Sequence, residues 1–397
     1  MEAYAQHTGH VTSAETTPGD LPADVRSQLF ASLRRSGQRL RAEQYVRGLL
    51  ASPGRKTLRN IAAHIGGASA QQSLHHFISA SPWEWMPVRR ALARHVQRLP
   101  GRQAWVITPT AFPKAGSHSI GVDLQYMPHL GQTINGQQAL GAWMASGRWA
   151  VPVDWQLLLP RRWLEDSVRR RANIPADAVA ASLEDCIQEV ADRLKGAPDV
   201  LGRPVVVDAE GVDAVELARR LAAGGHVFLI RTGGQTRLRI DGSVLPAYGE
   251  RESDAGQLVA SLTRLRKPVC LDGGGPVTAA AIPVVPTWAA AGRRGTADGV
   301  SRAGMLLVGE WSLPRQGDCR LWLTNAGDRP LPDLLRLTRL SDVVARDFAA
   351  ISERVGVRDF AGRSFQGWHR HITLASVAHF AAVLGHVAAK SPAGIAA

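Results

Sequence analysis

Pro204-Val205-Val206-Val207-Asp208, then a helical pattern near Val212–Ala222, then an apolar run at His226–Arg231: this stretch decides the fold class. Three consecutive valines closing in an acid read as a short buried strand. The next segment carries the apolar period of a helix, and the third returns to strand character. Strand, acid, helix and strand make a parallel crossover, which requires a sheet with helices packed on its faces. Asp208 then stands at the end of its strand.

Upstream of this unit, Ala104-Trp105-Val106-Ile107-Thr108 reads as a buried strand. Ser119–Tyr126 reads as a second strand, with Gly116 near the intervening turn, and Gln138–Met144 as a third. A helix is predicted over roughly Ala178 to Leu194. Downstream, residues 232 to about 330 are rich in glycine, proline and short β-like runs (Leu238-Arg239-Ile240, Met305-Leu306-Leu307-Val308, Arg320-Leu321-Trp322-Leu323), which predicts a mainly β insertion. Helical patterning resumes over Pro332–Val355 and again after Gly367. Gly233-Gly234 and Gly273-Gly274-Gly275 lack the flanks of a phosphate loop and read as plain loops.

Before Pro100-Gly101 the pattern is helical throughout, with Val25-Phe30-Leu33 and Tyr45-Val46-Leu49-Leu50 recurring at spacings of three to five. The stretch Thr57–Ser69, with its Gly66-Gly67 turn, leads into a second short helix around Gln71–Ile78 opened by a serine cap. A helix-turn-helix and an ordinary helical hairpin fit it equally well. The chain thus divides into a polar tail over 1–20 that is expected to be disordered, a small all-α domain over 21–100 and an α/β core over 101–397.

Charge narrows the partners. The 397-residue chain carries a net charge of +13, and only five of its 47 basic residues are lysine. Residues 1–100 hold thirteen Arg and Lys against six Asp and Glu. Such a surplus favours a polyanionic partner such as nucleic acid or an anionic membrane, although GC-rich coding also enriches arginine. Cys186, Cys270 and Cys319 are far apart and form no C-x-x-C pair, which argues against a disulfide framework or zinc knuckle and for a reducing compartment. No run of 18 apolar residues is present, so no membrane-spanning helix is expected, and the expected location is cytoplasmic and nucleoid-associated.

Three blocks, in order, carry a resemblance. They are Trp105-Val106-Ile107-Thr108-Pro109-Thr110-Ala111-Phe112-Pro113-Lys114-Ala115-Gly116-Ser117-His118-Ser119-Ile120-Gly121-Val122, the leucine-rich run Pro152–Trp163 closing in Leu159-Pro160-Arg161-Arg162-Trp163, and Gly367-Trp368-His369-Arg370-His371-Ile372-Thr373-Leu374-Ala375. Together they resemble the DDE transposases of the insertion sequence 701 group. The resemblance implies an RNase H-like mixed sheet that presents three acids to a pair of divalent metals, where hard carboxylate oxygens activate water and stabilise the leaving 3′ oxygen.

The chain departs from that pattern at the acids. Thr108 and Pro109 stand where the first strand should end in aspartate. Asp208 matches the second acid. Counting back from Gly367-Trp368, the final glutamate falls at Ala345 and the lysine seven residues on at Ser352, with Phe348 keeping its place. Asp123, read as lying on the strand beside Thr108, and Asp342, three residues before Ala345, are the candidate substitutes. A solvated or capping role is the simpler account of both, and a turn or cap role would also suit Asp208. Lys114, Arg363 and Arg370 match basic family positions and, with Arg55, Lys56 and Arg59, are the candidate DNA contacts. His369 and His371 fit packing better than metal binding.

The reading is a transposase-derived protein that binds double-stranded DNA, with a homodimer as the candidate assembly, lost strand-transfer chemistry and a regulatory or remnant role. No cofactor is expected, with Mg2+ or Mn2+ relevant only to residual nuclease activity. The alternatives are an active transposase with relocated acids, or a scaffold reused to bind a small molecule or protein.

Overall fold

Valine runs and apolar periods organise the molecule as the sequence suggests, and a computed structural model describes residues 21–196, 202–271, 277–285, 304–312 and 319–390. The helices α1 (Ala23–Leu29), α2 (Ser36–Ala51), α3 (Leu58–Ala63), α4 (Ala68–Ser79) and α5 (Trp85–Val96) come first. They are followed by β1 (Gln103–Pro113), β2 (Asp123–Met127), β3 (Gln132–Ser146) and β4 (Ala150–Leu158). Next come α6 (Asp166–Ala172), α7 (Leu183–Lys195), β5 (Val205–Val207), α8 (Ala214–Ala223) and β6 (Phe228–Thr232). The insertion contributes β7 (Arg237–Ile240), β8 (Glu252–Asp254), α9 (Ala255–Ser261), β9 (Lys267–Val269), β10 (Val277–Val285), β11 (Met305–Ser312) and β12 (Cys319–Thr324). The chain then forms α10 (Leu331–Thr338), α11 (Leu340–Asp347), a π-helical turn at Phe348–Ser352 and α12 (Phe365–Lys390).

One mixed sheet runs β2-β3-β1-β5-β6-β12-β11-β10-β7-β8, with β4 beside β3 and β9 beside β10. β1, β5 and β6 are parallel, and the other pairings are antiparallel. This is the α/β, RNase H-like arrangement. The mainly β insertion extends the same sheet, because β12 pairs with β6 through Leu323 opposite Ile230. The tail over 1–20 and Gly273-Gly274-Gly275 lie outside the described residues.

Several element boundaries differ from the sequence reading. The strand read at Ser119–Tyr126 begins only at Asp123; Ile120 N instead donates to Gly362 O at 3.3 Å. The Pro152–Trp163 run, read as a link, contains β4, whose Val151, Val153 and Trp155 are buried. α4 is opened by Gly67 at φ +71° and not by a serine cap, since only glycine adopts that backbone cheaply. α7 starts later than expected, at a capping box in which the Ser182 hydroxyl accepts from Asp185 N at 3.1 Å.

Helix α12 is buried on every side, so it shows no amphipathic stripe. One side meets the sheet, where Phe112 and Trp368 touch edge to face. Another side meets the N-terminal helices. Pro100-Gly101 therefore marks a change of secondary structure while the packing continues across it.

The buried imidazoles of α12 hold fixed tautomers. His379 Nε2 donates to Ala150 O at 2.8 Å, and Nδ1 accepts from the Ser352 hydroxyl at 2.8 Å. His371 Nε2 donates to Gly356 O at 3.0 Å, and Nδ1 accepts from the Tyr45 hydroxyl at 2.8 Å. Neither ring has a free acceptor, so a proton on Nδ1 would force the facing hydroxyl to turn and leave its own hydrogen without that partner inside the core. Burial pushes both down to about 4, against an ordinary 6.5.

The unfolded chain thus binds more protons between pH 6.5 and 4. Stability is expected to be full above the upper value and to fall as pH drops through this window, by on the order of 3 kcal/mol per ring. Urea midpoints measured across the range check this, and a flat profile contradicts it. Tyr45→Phe, which leaves His371 Nδ1 without its donor, is expected to lower stability by about 1–3 kcal/mol in the same assay at pH 7.

Candidate functional site

β1 and β5 run level, with Ile107 opposite Val207 and Asp208 N donating to Ile107 O at 3.0 Å. The next residues, Thr108 and Asp208, therefore sit side by side on one face of the sheet. Phe112, Trp143 and Trp155 share that face, and Trp143 touches Phe348 at the end of α11. The middle of β1, the end of β5 and helix α11 converge where a metal-dependent nuclease of this fold would present its acids.

The residues there form alternating ion pairs. Asp208 meets Arg231 of β6 at 3.5 Å, and the Arg231 guanidinium also lies 5.7 Å from the Trp322 ring centre. Asp342 of α11 accepts a fork from Arg320 of β12 at 3.0 and 3.2 Å. Burial opposes the Arg320 charge, but Asp342, Glu310 and Asp208 outweigh it and raise its pKa. Glu310, buried on β11, pairs with Arg339 at 2.6 Å and accepts from the Thr338 hydroxyl at 3.1 Å. Asp208 is not the cap of α8; Asp213 does that, accepting from Val215 N and Glu216 N, each at 3.0 Å.

The other triad positions carry no carboxylate. Thr108 is half-buried, Pro109 is buried, and Ala345 is exposed on α11. Ser352 is buried against His379.

Asp123 does not stand beside Thr108. β2 lies beyond β3, and Asp123 is level with Gly136 and hence with Pro113 of β1. That is roughly 17 Å along the strand from Thr108 and roughly 10 Å across the sheet. Its carboxylate pairs with Arg162 at 3.2 Å.

Three of the proposed DNA contacts are committed inside the protein. Arg370 is buried, donating to Trp83 O at 3.2 Å, Ile78 O at 3.1 Å and Gln366 Oε1 at 3.3 Å. Lys56 is also buried, with its ammonium on Ser52 O. Lys114 donates to Arg358 O at 2.6 Å and Phe360 O at 2.8 Å. Burial lowers its pKa to about 8 even though Asp359 favours the charge. Lys114 thereby holds the segment before α12 in place, while Arg370 ties α12 to the end of α4 and the α4–α5 connection. Arg55, Arg59 and Arg363 are exposed. His369 stacks on Trp85 at 4.7 Å and meets Arg89 Nη2 at 3.1 Å, a packing role.

The donor set does not suit a divalent pair. Two metals need several carboxylate oxygens free to ligate. Here Asp208, Asp342 and Glu310 each face a guanidinium, and among the described residues no group of three or more His, Cys, Asp or Glu could hold a metal ion. Sequence reasoning missed Arg231, Arg320 and Arg339. An arginine at a strand or helix end carries no mark of its partner, and the Asp342–Arg320 pair joins an insertion strand to a later helix.

Comparison with known proteins agrees with this geometry. Residues 28–272 match a family profile described as DDE superfamily endonuclease. A curated protein of Microchaete diplosiphon, "Probable transposase for insertion sequence element IS701", is 33% identical over 158 residues, which cover 38% of this chain and 41% of that protein. The profile spans most of the sheet and all three strands that order the Asp208 locus, and on that match the chain belongs to the DDE superfamily of endonucleases.

Proposed function

We propose that this protein binds double-stranded DNA on a transposase scaffold without cutting it. The observation that carries the reading is the closure of the acids at the Asp208 locus into ion pairs with Arg231 and Arg320. A guanidinium beside an acid offsets its negative field and competes with a divalent cation for its oxygens, and Thr108 and Ala345 supply no further carboxylate. The reading is supported by the finding that, among the described residues, no three His, Cys, Asp or Glu are grouped to hold a metal ion.

DNA binding rests on the family membership, on the +13 charge, and on exposed Arg55, Arg59 and Arg363. Helices α3 and α4 meet at the Gly66-Gly67 turn, and α4 leaves Ser69, Gln72, His75 and His76 exposed while burying Leu74, Phe77 and Ile78. A short helix with an apolar inner face and a polar outer face is the form that enters a major groove, where glutamine recognises adenine through two hydrogen bonds. Binding without cleavage fits a regulatory or a remnant role.

The test uses the full chain with supercoiled plasmid and with fragments. No nicking or strand transfer is expected in Mg2+ or Mn2+. Metal-dependent cleavage abolished by Asp208→Ala would sink the inactive reading and restore the active one. DNA affinity is expected to fall by about 0.9 log units per contacted phosphate for each tenfold rise in salt. Arg55→Ala/Arg59→Ala/Arg363→Ala should flatten that slope by up to about three contacts. Affinity that is absent or independent of salt would move the search to protein or small-molecule partners.

A further inference from the structure

A cavity of about 550 Å3 lies just before the start of β1, between Pro100-Gly101, the β3–β4 turn, the end of α11 with its π-helical turn, and the end of α12. Its volume falls within the range of small-molecule sites. The wall is apolar: Trp149, Ile351 and Val383 are all at least nine-tenths buried. The rim is cationic, formed by Arg148, Arg346 and Arg354. Asp347 is the one carboxylate among the described lining residues, and both of its oxygens are engaged, one by Ala150 N at 2.7 Å and the other by Arg346 Nε at 2.7 Å. Arg148 and Arg354 are exposed and have no carboxylate partner among the described residues.

The backbone shapes the cavity. The turn at Phe348–Ser352 is π-helical, with Glu353 N on Phe348 O at 3.0 Å and Val357 N on Ser352 O at 3.0 Å. The wider turn places Ala350, Ile351 and Arg354 along one wall. Such turns are uncommon and recur at functional sites.

We propose that this cavity binds a small amphipathic anion, with its apolar body against Trp149, Ile351 and Val383 and its carboxylate, sulfonate or phosphate head on Arg148 and Arg354. The charge excess at the rim and the apolar wall together specify this class. A neutral apolar molecule would leave the guanidiniums unused, and a hydrophilic anion would leave the wall uncovered. The site stands apart from the Asp208 locus and does not depend on the DNA reading.

The test titrates the full chain with anilinonaphthalene sulfonate and with its neutral analogue phenyl-naphthylamine, following probe fluorescence. The expected result is one saturable site that prefers the sulfonate by about tenfold or more. Arg148→Ala/Arg354→Ala should abolish that preference, and Ala350→Trp, filling the cavity from an exposed position, should abolish binding of both probes. Saturating DNA should leave binding unchanged. Equal affinity of the two probes for the unmodified chain, undiminished binding to the Ala350→Trp chain, or displacement by DNA would each overturn the proposal, the last by assigning the rim arginines to a phosphate backbone.

Discussion

The Arg89 guanidinium is the interaction on which the rest of the structure depends. Only 3% of the residue is exposed, and it donates to Asp154 Oδ1 at 2.7 Å, Trp155 O at 2.7 Å and Thr373 Oγ1 at 2.8 Å, with His369 Nδ1 at 3.1 Å. One side chain therefore joins α5, β4 and α12. Burial alone would raise the Asp154 carboxyl, but Arg89 and Arg193 hold it below the usual range. A buried ion pair adds little net stability over an apolar equivalent, yet breaking one by removing a partner typically costs about 3–5 kcal/mol. Its value here is geometric, since the partners fix how α5 covers β4, a strand paired only with β3, and how α12 lies on the sheet.

The same rule of closed charges extends across the molecule. Lys56 and Lys114 are capped by backbone carbonyls. Asp347 is shared between Ala150 N and Arg346. The Asp208 locus follows suit, its acids alternating with Arg231, Arg320 and Arg339. In a metal-dependent site, clustered carboxylates repel one another until cations arrive, a strain the fold must carry. Here arginines from the neighbouring strand, the insertion and the α10–α11 junction remove that repulsion. The charge balance of these alternating pairs is what stabilises the locus.

The fold was legible where periodicity and burial agree. The β5–α8–β6 crossover reads directly, because three valines buried on both faces and a clean helical period leave few alternatives. β4 was not legible, because Pro152 and Asp154 break its apolar run. Pro152 is accommodated opposite Trp143, where the β3–β4 register shifts, and Asp154 answers Arg89, which lies 65 residues away. The placement of Asp123 failed for a related reason: a strand's neighbours are set by topology, and β3 comes between β2 and β1. Lys56, Lys114 and Arg370 could not be told from exposed cations, since what buries them is carbonyls and acids contributed by distant segments.

The blocks that carry the family likeness and the residues that would carry the chemistry differ in what they do for the fold. Trp368, His369, Arg370, His371, Ile372, Thr373, Leu374 and Ala375 are all buried. A change at His371, for example, would strand Tyr45 and Gly356 O and open a cavity. Ala345 is exposed and Thr108 only half-buried, so an acid can be exchanged at either position without disturbing packing. Exchanging it even relieves like-charge repulsion, and active sites are commonly held at some expense of stability. The scaffold is therefore tied to its sequence by packing, while the acids are tied to theirs only by catalysis. The packed residues of α12 and the exposed face of α11 thus answer to different constraints: the first to burial, the second to the charge that Arg320 of β12 sets opposite it.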